Sequence, residues 1–162
     1  ILLRNNCSVG DIVFLSDQLG NGLLGMQNFK KFRRKNNVSS AYLKPKALIN
    51  YGKTIAEFAS SAIDVSDGFL QDLGHLSKAS KVGFELSSSS IPYNSNLSLK
   101  QCLNCGDDYQ LIFTVPKKNI QSLTKKMKKN KFKMFEVGTS IQTKKIFLDG
   151  KITSINMGYK HF

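Results

Sequence analysis

Short apolar strands alternate with helical segments along this chain, and that alternation restricts its fold more than any other feature. Runs rich in β-branched and aromatic residues predict strands at 11–15, 62–65, 82–86, 109–115, 132–138 and 146–148. Helical spacing or a turn signal predicts helices from the glycine-rich stretch 20–25 onward to about 35, at about 47–60, from the turn at 66–68 to about 80, and after Pro116. We therefore expect an α/β or α+β domain with a mixed β-sheet.

The composition is that of a globular protein with a buried core. Of 162 residues, 41% are hydrophobic and 22% are charged, which excludes a collagen, a mucin-like stalk and a disordered chain. No apolar run approaches the roughly 18 residues of a membrane span, so we expect no membrane partner. Three cysteines cannot all pair with one another, which favours a reduced, cytoplasmic setting. Because the chain begins with Ile1, we expect a piece of a longer protein.

The net charge of +13 favours anionic partners such as nucleic acid, acidic lipid or phosphorylated small molecules. However, nearly all of the basic residues are lysines, and a chain rich in Lys, Asn, Ser, Ile and Phe is typical of AT-rich coding. The segment Lys117–Lys133 is the candidate nucleic-acid face, but it lacks the arginines and interleaved aromatics of RNA-binding surfaces. A solvated helix face, with Ile120, Leu123 and Met127 directed inward, explains it better.

Two short motifs have structural as well as functional explanations. Gly20–Gly25 matches the dinucleotide fingerprint G-x-G-x-x-G, but segment 36–56 contains no acidic residue to bind a ribose, and a close strand-to-helix turn explains the glycines equally well. Cys102 and Cys105 form a C-x-x-C pair without a second metal-ligand pair, and we interpret it as coincidental. We interpret His75 as a surface or half-buried histidine of its helix.

The segment Ile63–Leu70 carries the clearest chemical signal. Asp64 and Asp67 stand three positions apart where an apolar strand turns into a helix, and Ser66 is suited to cap that helix. A carboxylate at the end of a buried strand is costly unless it is paired with a cation or a donor. Two such oxygen ligands beside a helix N-terminus suit Mg²⁺ together with a phosphate.

A second acidic pair, Asp107 and Asp108, follows the glycine turn at Gly106 and leads into a strand. Side chains alternate in direction along a strand. We therefore expect at most one of these two carboxylates to serve a given site.

In these segments the sequence resembles the thiamine-monophosphate kinase family, a member of the aminoimidazole-ribonucleotide-synthetase-like ATP-binding superfamily. Family members carry R-x-G-A-x-x-G-D, I-D-x-S-D-G-L, D-L-x-H-I-x-x-A-S, G-G-E-D-Y-E-L-x-F-T and a terminal G-Y-D-H-F. The counterparts here are 4–11, 63–70, 72–80, 105–114 and 158–162. Five ordered segments across the whole chain are hard to obtain by chance. The differences include Asp107 in place of Glu and Lys160 in place of Asp.

The resemblance implies ATP-dependent phosphorylation of thiamine monophosphate to thiamine diphosphate, with Mg²⁺ as cofactor and ATP as co-substrate. The site residues it implies are Asp64 and Asp67 for the metal, Ser66 and Arg4 for ATP, and Asp107 and Tyr159 for the thiamine substrate. It assigns no catalytic base. This is reasonable because the acceptor is already a phosphate, and the difficulty lies in bringing two polyanions together.

The resemblance also implies that residues 1–162 are the C-terminal domain of such an enzyme, without its N-terminal ATP-binding domain. The fold that it implies for this domain is α+β, a mixed β-sheet with packed helices. We expect this part to be inactive alone and the full-length enzyme to be a homodimer. Two alternatives stay open. One is another ATP-dependent synthetase of the superfamily, in the purine pathway or for selenophosphate. The other is a basic nucleic-acid-binding domain.

Overall fold

The architecture is a single mixed sheet with helices against both faces, in a computed structural model that describes residues 2–33 and 35–153. The sheet order is β2-β4-β1-β5-β3-β6-β7. These strands are β1 (Ile12–Leu15), β2 (Ser61–Asp64), β3 (Gly83–Leu86), β4 (Leu111–Val115), β5 (Phe135–Ile141), β6 (Ile146–Leu148) and β7 (Lys151–Ile152). Strands β3 and β6 are parallel, and the other neighbours are antiparallel. The predicted α+β fold is confirmed.

The helices follow the predicted order with three differences. They are α1 (Asn21–Phe32), α2 (Ser40–Leu43), α3 (Ile49–Ile55), α4 (Phe69–Ser80), α5 (Leu99–Asn104) and α6 (Ile120–Lys129). The helix predicted at 47–60 covers only Ile49–Ile55 and is followed by a turn at 56–58. Helix α2 was not predicted. Helix α5 was not predicted, although Ser98 and Gln101 form a capping box at its start.

Strand β1 shows how the core is divided between the two faces. Its alternate side chains point in opposite directions, so Val13 and Leu15 join one buried cluster while Ile12 and Phe14 join the other. The first cluster includes the inner faces of α4 and α5, and the second includes those of α3 and α6. Both faces of the central strands are therefore buried, which explains their nearly continuous apolar sequences.

Helix α6 confirms the predicted division of the lysine-rich segment. Leu123 and Met127 are buried, whereas Lys125, Lys128 and Lys129 are exposed. Lys126 lies 3.3 Å from a carboxylate oxygen of a surface glutamate, Glu57. None of the helices within the described ranges has the length and hydropathy of a membrane span.

Candidate substrate and metal site

The turn that follows β2 is joined to the segment that precedes β4. The N–H of Asp107 donates to the carbonyl of Ser66 at 3.0 Å, and the N–H of Tyr109 donates to the carbonyl of Val65 at 2.9 Å. Asp107 and Tyr109 both have positive φ, 63° and 50°, so this segment is not extended and β4 begins only at Leu111. The two acidic segments of the sequence therefore form one structural unit.

The buried carboxylate of Asp72 holds the turn from the inside. Its Oδ2 accepts hydrogen bonds from the N–H groups of Ser66, Asp67 and Gly68 at 3.0, 3.0 and 3.1 Å. The prediction that Ser66 caps α4 is wrong, because Gly68 precedes the helix and no side chain at that position caps it. Asp72 occupies these three donors of the turn, and the expected phosphate beside the helix N-terminus stays a prediction. Desolvation raises the pKa of Asp72.

The carboxylate of Asp108 has the same relation to α1. It is 9% exposed, and its two oxygens accept the N–H groups of Gly20 at 2.6 Å and Gly22 at 2.8 Å. Gly20 has φ 92°, and a β-carbon on Gly22 would lie 2.3 Å from the carbonyl oxygen of Asp107. The glycines of G-x-G-x-x-G thus permit close packing around a carboxylate, as the strand-to-helix explanation predicted. Desolvation also raises the pKa of Asp108.

Asp107 and Asp108 point to different environments, as predicted. Asp107 lines an open cleft, whereas Asp108 is buried beneath α1. The cause differs from the predicted one, because the pair precedes β4 and the positive φ of Asp107 redirects the chain.

The cleft beside this unit has a volume of about 890 Å³ and an acidic, aromatic lining. Its lining residues are Gly22, Leu23, Met26, Tyr42, Ser66, Asp67, Asn104, Cys105, Gly106, Asp107 and Tyr109. Among the residues that the structure describes, this lining includes two carboxylates and two tyrosines and no Lys, Arg or His. On a chain with net charge +13, such a lining favours a cationic ligand over an anionic one.

Asp64 lies on the other side of Tyr109 from this cleft. It lines a second cleft of about 620 Å³ together with Arg4, and a third of about 430 Å³ together with Tyr109. The Tyr109 hydroxyl donates to Asp107 Oδ1 at 3.2 Å. Partial burial, followed by the negative charges of Asp107 and Asp64, raises the pKa of that hydroxyl. Tyr109 therefore lies between the two groups of predicted site residues.

Ligand atoms of Asp67, Asp72 and His75 all lie within 4.8 Å of one another, the one such group of potential metal ligands in the described part of the chain. His75 is exposed on α4, as predicted. Asp72 was missed as a site residue, although an acidic residue in the first turn of a helix is a recognisable signal. Cys102 is buried on α5, and neither it nor Cys105 belongs to this group. Tyr159 lies outside the described residues.

The chain is similar to known proteins over most of its length. Residues 8–151 match the family described as AIR synthase related protein, C-terminal domain. The chain belongs to this family. Its fold agrees with the structure described as "AaThiL complexed with AMPPCP and TMP", with a TM-score of 0.84 and 28% sequence identity, over 99% of this chain and 54% of that one.

Two curated relatives of this AIR synthase related chain carry one name. The chain is 34% identical to the thiamine-monophosphate kinase of Buchnera aphidicola subsp. Schizaphis graminum, covering 99% of this chain and 55% of that protein. It is 30% identical to the thiamine-monophosphate kinase of Aquifex aeolicus, covering 98% of this chain and 54% of that protein. The chain therefore spans about half the length of the curated relatives that it matches.

Proposed function

We propose that the protein containing this chain transfers the γ-phosphate of ATP to thiamine monophosphate, forming thiamine diphosphate and ADP, and that residues 1–162 supply its C-terminal domain. The observation that carries the proposal is the acidic, aromatic cleft on a strongly basic chain. Thiamine monophosphate contains a cationic thiazolium ring, and a tyrosine face attracts such a cation by about 0.5–2 kcal/mol. The names of the relatives agree with this substrate.

Asp107 and Tyr159 are the proposed contacts of the thiamine part of the substrate. Asp107 fits because its carboxylate lines the cleft and Tyr109 orients it through a hydrogen bond. The assignment of Tyr159 rests on the resemblance of the terminal motif alone. A side chain that binds the thiamine ring contributes orientation rather than proton transfer, since the nucleophile is an oxygen of the substrate's own phosphate.

Asp64 and Asp67 are the proposed Mg²⁺ ligands. The donor chemistry fits, because each is a half-buried carboxylate beside a cleft, and Mg²⁺ is bound through one or two carboxylates plus phosphate oxygens. When bound, Mg²⁺ neutralises charge on the phosphates that must approach each other. Asp67 and Asp64 line two different clefts, and Tyr109 lines both of them.

Arg4 and Ser66 are the proposed ATP contacts. Arg4 is exposed and shares its cleft with Asp64, so a phosphate that binds a cation at Asp64 would also be close to a guanidinium. Ser66 lines the acidic cleft. Because few ligands for two polyanions are present among these residues, we expect residues 1–162 alone to bind Mg²⁺ weakly and to form no thiamine diphosphate.

The proposal is tested by thiamine diphosphate formation from ATP and thiamine monophosphate in the complete gene product. Asp64→Asn and Asp67→Asn should each reduce turnover at least about tenfold and raise the Mg²⁺ concentration needed for half-maximal activity. Glu57→Gln, which changes an exposed carboxylate of a surface ion pair, serves as control and should have wild-type kinetics. Absence of thiamine diphosphate with the wild-type protein would refute the proposal.

A further inference from the structure

Asp72 is the buried acceptor for the turn that carries Ser66 and Asp67. Asp72 is 2% exposed, and one of its carboxylate oxygens accepts hydrogen bonds from three consecutive backbone N–H groups. Three such donors left buried without an acceptor would destabilise the turn. The turn therefore keeps its conformation only while an acceptor stands at this position.

The carboxylate of Asp72 also acts on Asp67 by its charge. Ligand atoms of the two side chains lie within 4.8 Å of each other. Two carboxylates at this separation create a more negative potential than Asp67 would create alone. A cation bound by Asp67 is attracted by both.

We propose that Asp72 is a positioning residue for cation binding: it fixes the backbone of Asp67 and strengthens the negative potential there without contacting substrate. Asp72 is 2% exposed and is not among the described residues that line the cleft. The inference rests on the proposed function for the role of Asp67, and it goes further by adding a residue to which the resemblance assigns no role. Partners of metal-binding side chains change metal affinity or activity about 10–100-fold when they are removed.

The test measures Mn²⁺, a substitute for Mg²⁺ that electron paramagnetic resonance detects, and needs no turnover. Dissociation constants are compared in the complete gene product for wild type, Asp67→Asn, Asp72→Ala and Asp72→Asn. Asp11→Asn is the matched control. Asp11 is also buried, at 4% exposure, and accepts the N–H of Ser8 at 3.0 Å and the hydroxyl of Ser60 at 2.6 Å.

The location of Asp11 allows this control to distinguish a positioning role of Asp72 from a general effect of a buried carboxylate on stability. Asp11 precedes Ile12, which pairs with Val115, whereas Asp64 pairs with Leu111 at the opposite end of β4. Loss of a buried carboxylate at Asp11 should lower the melting temperature without changing Mn²⁺ affinity. The same substitution at Asp72 should change both.

We expect Asp72→Ala to weaken Mn²⁺ binding about tenfold or more. Asp72→Asn should have an intermediate effect, because an amide oxygen can still accept N–H groups but carries no charge. The Mg²⁺ concentration for half-maximal activity should shift in the same order, while the KM for thiamine monophosphate stays near the wild-type value. Wild-type Mn²⁺ affinity in Asp72→Ala, an equal shift in Asp11→Asn, or unfolding of Asp72→Asn would overturn the proposal.

Failure of the proposed function gives a different result. If the wild-type protein binds Mn²⁺ but forms no thiamine diphosphate, the kinase assignment fails and the Mn²⁺ series still decides the role of Asp72. If Asp67→Asn binds Mn²⁺ as tightly as the wild type, Asp67 is not a ligand. The proposed positioning role of Asp72 is then refuted as well.

Discussion

The α-carbon of Gly106 lies directly against the carbonyl group of Ser66, so that a β-carbon at position 106 would be 2.0 Å from the Ser66 oxygen. That distance is far below a van der Waals contact, and the atom in the way belongs to the backbone. The contact is adjacent to the hydrogen bond from the N–H of Asp107 to the same carbonyl, at 3.0 Å. Glycine at position 106 therefore permits the two acidic segments to join.

Gly106→Ala should separate these segments and damage the site as well as the fold. We expect a loss of about 1–3 kcal/mol in the free energy of unfolding, because overpacking forces backbone shifts. Activity should fall further than stability predicts, since Asp67 and Asp107 lose their common frame. Urea unfolding and the KM for thiamine monophosphate measure the two effects.

Gly52→Ala is the matched control for that substitution. A β-carbon at this position of α3 would meet nothing within 4 Å, and alanine favours a helix by up to about 1 kcal/mol over glycine. We expect unchanged or greater stability. Because Gly52 also lines the cleft that contains Arg4 and Asp64, this variant is a control for stability only. Equal damage in Gly52→Ala and Gly106→Ala would show that contact with Ser66 is not the cause.

The neighbours Asp107 and Asp108 should respond in opposite ways to loss of charge. Asp108→Asn leaves one oxygen for two N–H donors, at Gly20 and Gly22, and directs an amide N–H₂ toward the other donor. We expect a loss of about 1–3 kcal/mol in stability, with faster hydrogen exchange along α1. Asp107→Asn should leave stability nearly unchanged and raise the KM for thiamine monophosphate. If the same variant showed the larger change both in stability and in the KM for thiamine monophosphate, this division of roles would be contradicted.

Tyr159→Ala should raise the KM for thiamine monophosphate and leave the KM for ATP nearly unchanged. The physical reason is the loss of a cation–π contact of about 0.5–2 kcal/mol with the thiazolium ring. Steady-state kinetics of the complete gene product measure both constants. An equal rise for both substrates would indicate that the terminal motif has only a structural role.

Cys7 should make stability depend on pH in the alkaline range. Burial raises the pKa of this thiol from 9.0 to about 11, and the side chain is 5% exposed. Above pH 9 the unfolded chain loses a proton that the folded chain retains, so stability present at lower pH is lost as the pH rises toward 11. Each pH unit across this window corresponds to at most about 1.4 kcal/mol.

Cys7→Ala isolates this effect, because titration of the many lysines is common to both proteins. The difference in unfolding free energy between wild type and Cys7→Ala should shrink steadily from pH 9 to pH 11, as measured by urea unfolding. A constant difference over that range would rule out a buried thiol that titrates near 11.

Local pattern was sufficient for much of the fold and part of the site. The alternation of inward and outward residues in β1 and the inward face of α6 at Leu123 and Met127 were both predictable, because each depends on the period of one element. The position of Asp64 at a strand end was predictable for the same reason. Helix α5 was missed because its short length gives little periodic signal, and the capping box at Ser98 and Gln101 was its strongest mark.

The sequence by itself determined which residues are the candidates for the chemistry: an acidic strand-turn-helix segment, a second acidic segment after a glycine, and the motifs of a known family. Only the tertiary structure decided how they are arranged. Asp72 and Asp108 occupy the backbone donors at the starts of α4 and α1, so Asp67 and Asp107 remain in the cleft lining as carboxylates. The reason is that these pairings join groups distant in the chain, such as Gly20 and Asp108. Periodicity reports on neighbours within one element, whereas such contacts depend on the packing of several elements at once.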